Sequence, residues 1–101
     1  MTIQRKQQIL GRLIDRYGIE MEVIITGEEM SELFKELSKA VRYAKDHTGQ
    51  VLPEGFRENI AGEMADVFIK IDQMMLLYGI SAGKVETLKE EKLERLWEEN
   101  R

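Results

Sequence analysis

Apolar residues along this chain recur at helical spacing in four blocks. Leu10, Leu13, Ile14 and Tyr17 stand at i, i+3, i+4 and i+7, and Gly18 follows as a natural stop, so a first helix is expected over about Ile3 to Tyr17. Met30, Leu33, Phe34, Leu37, Val41 and Ala44 repeat the pattern until Asp46-His-Thr-Gly49 breaks it. The start of this second helix is open to two readings. Thr26-Gly-Glu-Glu29 has the form of a capping box, whereas Met21, Val23, Ile24 and Ile25 fit either an earlier helical turn or a short extended stretch. One long helix from about Ile19 is the expectation carried forward.

Pro53 followed by Glu54 marks the opening of a third helix, because proline suits a first turn and an acidic group suits the positive end of the helix dipole. Ile60, Met64, Val67, Ile71, Met74 and Tyr78 then keep a stripe until Gly79. The run Met74 to Tyr78 is apolar on every side, and such a helix needs cover from several directions. A subunit contact is the economical source of that cover. A charge-dense fourth helix is expected from about Lys84 to Glu99, with Val85, Leu88, Leu93, Leu96 and Trp97 available for packing.

Composition narrows the class. The 101 residues suffice for one domain, with 43% hydrophobic and 34% charged residues, one proline and seven aromatics in a hundred, which favours an all-α fold over a sandwich or barrel. So small a domain buries only a moderate share of its surface unless it pairs with copies of itself. A net charge of −4 gives no general attraction to nucleic acid. Without cysteine there are neither disulfides nor thiolate metal sites. The opening residues lack the basic-then-apolar order of a signal peptide, and no apolar run reaches membrane-spanning length, so a cytoplasmic protein without membrane contact is expected.

The candidate chemistry lies in two acidic pairs, Glu29-Met-Ser-Glu32 on the second helix and Glu63-Met-Ala-Asp66 on the third. Residues three apart share a helix face. At about 100° per residue, Glu29 and Glu63 fall on the edge of their apolar stripes, with Glu32 and Asp66 roughly 60° further out on the same flank. Packing the stripes together would gather four carboxylates along one groove, where their repulsion is relieved by a hard divalent cation such as Mg²⁺, an ion usually shared between carboxylates and substrate phosphates. Against this stand plainer roles: solvated surface charge, a capping role for Glu29, and an Asp66–Lys70 pair at i+4.

The stretches Glu28-Glu-Met-Ser-Glu-Leu-Phe-Lys-Glu-Leu-Ser-Lys39, Glu58-Asn-Ile-Ala-Gly-Glu-Met-Ala-Asp-Val67 and Lys89-Glu-Glu-Lys-Leu-Glu-Arg95 resemble the MazG-like all-α nucleoside triphosphate pyrophosphohydrolases over nearly the whole chain. The thirty residues between Glu32 and Glu63 exceed the common family spacing slightly, with Tyr43 to Phe56 supplying the extra loop. The resemblance implies a helical bundle assembled as a homodimer or homotetramer. It also implies hydrolysis of a nucleoside triphosphate to monophosphate and pyrophosphate, as in house-cleaning of nucleotide pools. Glu29, Glu32, Glu63 and Asp66 would then be ligands of Mg²⁺, with Mn²⁺ as a substitute. One carboxylate would activate water, with Glu32 favoured and Glu29 and Glu36 as rivals.

On the fourth helix Lys89, Lys92 and Arg95 lie three apart and form a candidate phosphate-binding line, Lys92 and Arg95 matching the family's basic positions best. Lys70 reads as a salt-bridge partner, and Lys35, Lys39 and Arg42 as solvated. His47, the single histidine, sits in a polar loop, which gives a nucleophile-and-base triad little support. Trp97, Tyr78 and the methionines read as packing. The alternatives from other classes are a non-enzymatic helical interaction module and a nucleotide-binding relative without turnover.

Overall fold

Four helices account for nearly all of the chain in a computed structural model that describes all 101 residues: α1 Ile3–Tyr17, α2 Ile19–Asp46, α3 Glu54–Tyr78 and α4 Ala82–Glu99. There are no strands, so the fold is all-α. The Thr2 hydroxyl accepts from the Arg5 amide and starts α1. Gly18, at φ 85°, ends that helix and begins the next, a conformation in which a side chain would be strained. α2 runs unbroken from Ile19, and Thr26 lies inside it with its hydroxyl on the Glu22 carbonyl at 2.8 Å. The capping-box reading of Thr26 and Glu29 is thereby excluded. A helical hydroxyl bonded four residues back is an internal feature, not a start signal.

His47 closes α2: its ring stacks on Tyr43 with centroids 3.8 Å apart, and Tyr43 in turn meets Phe56 at 5.0 Å. These contacts tie the loop to the first turn of α3. Pro53 stands just before that turn. α3 ends at Gly79, which is left-handed at φ 64° and lets the Ile80 amide reach the Met75 carbonyl at 2.9 Å. Ser81 then caps α4 by accepting from the Lys84 amide, so this helix begins two residues ahead of the expected Lys84.

α2 and α3 pack antiparallel as the main pair, α1 leans on both, and α4 makes no substantial contact with the rest. Only Leu10 and Val67 are buried apolar residues; the other buried side chains are Glu22, Thr26 and Gln73. The seam of α2 facing α3 carries Glu22, Thr26, Glu29, Leu33 and Glu36, each buried or half-buried. Most of the apolar stripe anticipated to fill that seam points elsewhere: Met30, Phe34, Leu37 and Val41 are exposed, about a quarter turn away. Val23 lies on the same outer face. On α3, Met64, Phe68 and Ile69 are exposed as well.

The apolar exposure is visible in the dimensions of the molecule. Its radius of gyration is 17.2 Å, against about 13 Å for a compact chain of this length. Its accessible surface is 8071 Å², while a compact protein of this mass exposes roughly 5,900 Å².

Candidate metal centre

Glu29 reaches the α2–α3 groove because it lies seven residues, and so two helical turns, beyond Glu22 on the same face. Glu63 and Asp66 reach it from α3 at i and i+3. Carboxylate oxygens of Glu29, Glu63 and Asp66 all lie within 4.8 Å of one another, with Glu29 and Glu63 half-buried and Asp66 exposed. Three of the four carboxylates anticipated from the sequence are thus brought together. Glu32 sits at the exposed edge, outside that group, yet near enough for its charge to act on Glu63.

The Glu63 carboxyl is pushed above the ordinary carboxylate value. Loss of water is the largest cause, followed by the negative charges of Asp66, Glu29, Glu32 and Glu36. Of these crowded acids only Glu36 has a cation of the protein beside it: the ion pairs formed by the chain are Lys39–Glu36, Arg57–Glu54, Lys70–Glu22, Lys89–Glu86 and Arg101–Glu98. The anticipated alternative of an Asp66–Lys70 pair is therefore not formed.

Glu36 joins the acidic group from one heptad beyond Glu29. One of its oxygens accepts from Lys39 at 3.1 Å, and the other is shut away from water without a hydrogen-bond partner. A buried carboxylate oxygen left without a donor is costly, and a cation or a coordinated water would satisfy it. All of the donors are carboxylate oxygens, which suits Mg²⁺ or Mn²⁺ and argues against soft metals.

The basic line of α4 is placed apart from this cluster. Lys89 pairs with Glu86 on its own helix at 3.4 Å, and Lys92 and Arg95 are exposed with no acidic partner. α4 leaves the bundle after Gly79, thirteen residues past Asp66, or roughly 20 Å of helix.

Two residues next to the site escaped the sequence reading. Glu22 and Gln73 are almost wholly buried, and Lys70 donates to both, to Gln73 Oε1 at 3.1 Å and to Glu22 in a close ion pair. Lys70 holds the Glu22 carboxyl below its ordinary value, outweighing the opposing effect of burial, and the Gln73 amide adds to the lowering, although its Nε2 is aligned with no acceptor. The signal was present in the spacing, since Glu22, Glu29 and Glu36 repeat every seven residues and Lys70 follows Glu63 by seven. No protein-family model, curated protein or solved structure matches the chain.

Proposed function

We propose that this chain is a Mg²⁺-dependent nucleoside triphosphate pyrophosphohydrolase of the MazG-like type, cleaving its substrate to the monophosphate and pyrophosphate. The observation that carries the reading is the convergence of Glu29, Glu63 and Asp66 from two helices into one group of oxygens.

Glu29, Glu63 and Asp66 would hold the cation. Bound there, Mg²⁺ offsets the charge of the triphosphate and lowers the pKa of water. Glu32, at the edge of the group and free of an ion pair, would accept the proton of the water that attacks the phosphorus bearing the pyrophosphate leaving group. Glu29 and Glu36 are the alternatives for that role. Lys89, Lys92 and Arg95 supply the positive charge that polyphosphate requires. Because α4 makes no substantial contact with the helices of its own chain, these side chains would meet substrate most simply across a neighbouring copy.

Self-association belongs to the same reading. The surface excess over a compact chain is about 2,200 Å², within the range of area that obligate dimers bury. Val23, Met30, Phe34, Leu37 and Val41 give α2 a continuous outer apolar stripe that would be covered in a homodimer or homotetramer. Nucleotide-pool maintenance in the cytoplasm is the setting such an activity implies. No helix is long and apolar enough to cross a membrane.

The test is release of pyrophosphate from a panel of normal and damaged nucleoside triphosphates with Mg²⁺ or Mn²⁺. Metal-dependent release that is lost in Glu63→Gln is expected. Metal and nucleotide binding without release would identify a binder that does not turn over. Absence of release and of metal binding at high protein concentration would favour a helical interaction module, using the exposed stripe of α2 as its surface.

A further inference from the structure

The seam between α2 and α3 has a heptad register that places two polar layers one above the other. Advancing along α2 from Glu22 to Glu29 takes seven residues, and returning along α3 from Lys70 to Glu63 takes seven as well. Glu22 meets Lys70 in one layer, and Glu29 meets Glu63 in the next, about 10 Å away. The first layer is neutralised. The second carries negative charge alone.

Lys70 is the residue on which this difference turns. It stands four residues after Asp66 on the same helix, and an acid placed four before a base is the favoured order for a helical ion pair. Arg57 is the only other cation of α3, and it is already paired with Glu54 one turn from the start of the helix. Lys70 is therefore the cation of α3 best placed to neutralise Asp66. It does not do so, because its ammonium is occupied by Glu22 and by Gln73 Oε1, with only 12% of the Lys70 side chain exposed and 2% of Glu22. A buried ion pair contributes little net stability, since the loss of hydration largely offsets the attraction, and an apolar pair would pack the seam as well. Its place one layer from an acidic cluster points to another role.

We propose that Glu22 is a positioning residue that captures Lys70 and withholds it from Asp66, so that the Glu29, Glu63 and Asp66 cluster stays open to a divalent cation. The inference rests on the metal-site reading above and adds to it a residue outside both acidic pairs. Glu22 acts through Lys70 and touches no ligand itself. When the Glu22 charge is removed, Lys70 is free to swing one turn back along α3 and close on Asp66.

The experiment is calorimetric titration of Mn²⁺, without nucleotide, into the full chain as wild type, Glu22→Gln, Lys70→Met and the Glu22→Gln/Lys70→Met double variant, each checked for helix content by circular dichroism. Glu22→Gln is expected to weaken Mn²⁺ binding by about five- to tenfold, while Lys70→Met and the double variant stay within about twofold of wild type, a coupling that only the cycle reveals. A merely structural role predicts instead that Lys70→Met alone weakens binding as Glu22→Gln does, because either single change leaves a buried charge unpaired. Wild-type affinity in folded Glu22→Gln, or a double variant as weak as the single one, overturns the proposal. If Glu22→Gln loses its helices, the other two variants decide, and a marked loss of affinity in them overturns it. No Mn²⁺ binding by the wild type would remove the metal site itself and this inference with it, an outcome distinct from binding that is indifferent to Glu22.

Discussion

Glu63 and Glu22 sit on the same helical seam with opposite displacements of their acidity, and the cause in each case is the neighbour. Glu63 is deprived of water and surrounded by Asp66, Glu29, Glu32 and Glu36, so it holds its proton more firmly than the reference value of 4.5. A raised carboxyl favours the folded state at low pH, and that contribution is lost as pH rises through the folded value. Glu22, held low by Lys70, contributes stability above 4.5 that is lost as pH falls through its folded value. Two outcomes follow at this scale. In metal-free protein at neutral pH, Glu63→Gln should raise the melting temperature and abolish the further rise produced by Mg²⁺ in the wild type, as followed by circular dichroism. Because a cation needs the ionised carboxylate, Mn²⁺ affinity measured by calorimetry should begin to fall on acidification at a pH above 4.5. An affinity that is flat down to that value would contradict the crowding at Glu63.

Among the elements, α4 depends most on its own sequence. It has no substantial packing against α1, α2 or α3 and keeps only Val85 half-buried, so its first turn relies on the Ser81 cap to Lys84. Ser81→Ala should cost about 1 kcal/mol, and hydrogen exchange should quicken in the first turns of α4 while the α2–α3 seam is unchanged. Equal quickening in both would show that α4 is packed in solution. Gly79 differs in kind, because its left-handed conformation ends α3: Gly79→Val should cost about 1–2 kcal/mol in thermal melts. The boundaries of α1 and α3 were legible in the sequence because glycine and proline punctuate them. The start of α2 was ambiguous because Thr26 offers the same hydroxyl to a cap or to a helix interior.

For the whole molecule, a radius of gyration of 17.2 Å and two buried apolar side chains describe a chain that buries little apolar surface by itself, as the proposed self-association requires. Light scattering should report a mass of at least two chains, and the melting temperature should rise with protein concentration, as folding coupled to association requires. Phe34→Glu puts a charge into the middle of the outer α2 stripe and should weaken association by at least about tenfold in sedimentation experiments. A strict monomer with a concentration-independent melt would leave the exposed stripe without an explanation.

Helical periodicity, glycine punctuation and the absence of strand patterns are local properties, so the all-α class and nearly all helix limits could be read from residue order. The acidic pairs were likewise visible, since i and i+3 place side chains on one face whatever surrounds the helix. Which face turns inward was not decided locally. α2 carries an apolar stripe and, a quarter turn away, a polar seam of Glu22, Thr26, Glu29 and Glu36; periodicity alone awards the core to the stripe. Tertiary pairing assigns it to the seam, because Lys70 and Gln73 on α3 answer Glu22 there, while the stripe stays exposed. Bringing Glu29 to Glu63 and Asp66 is a consequence of that antiparallel register, which depends on residues far apart along the chain.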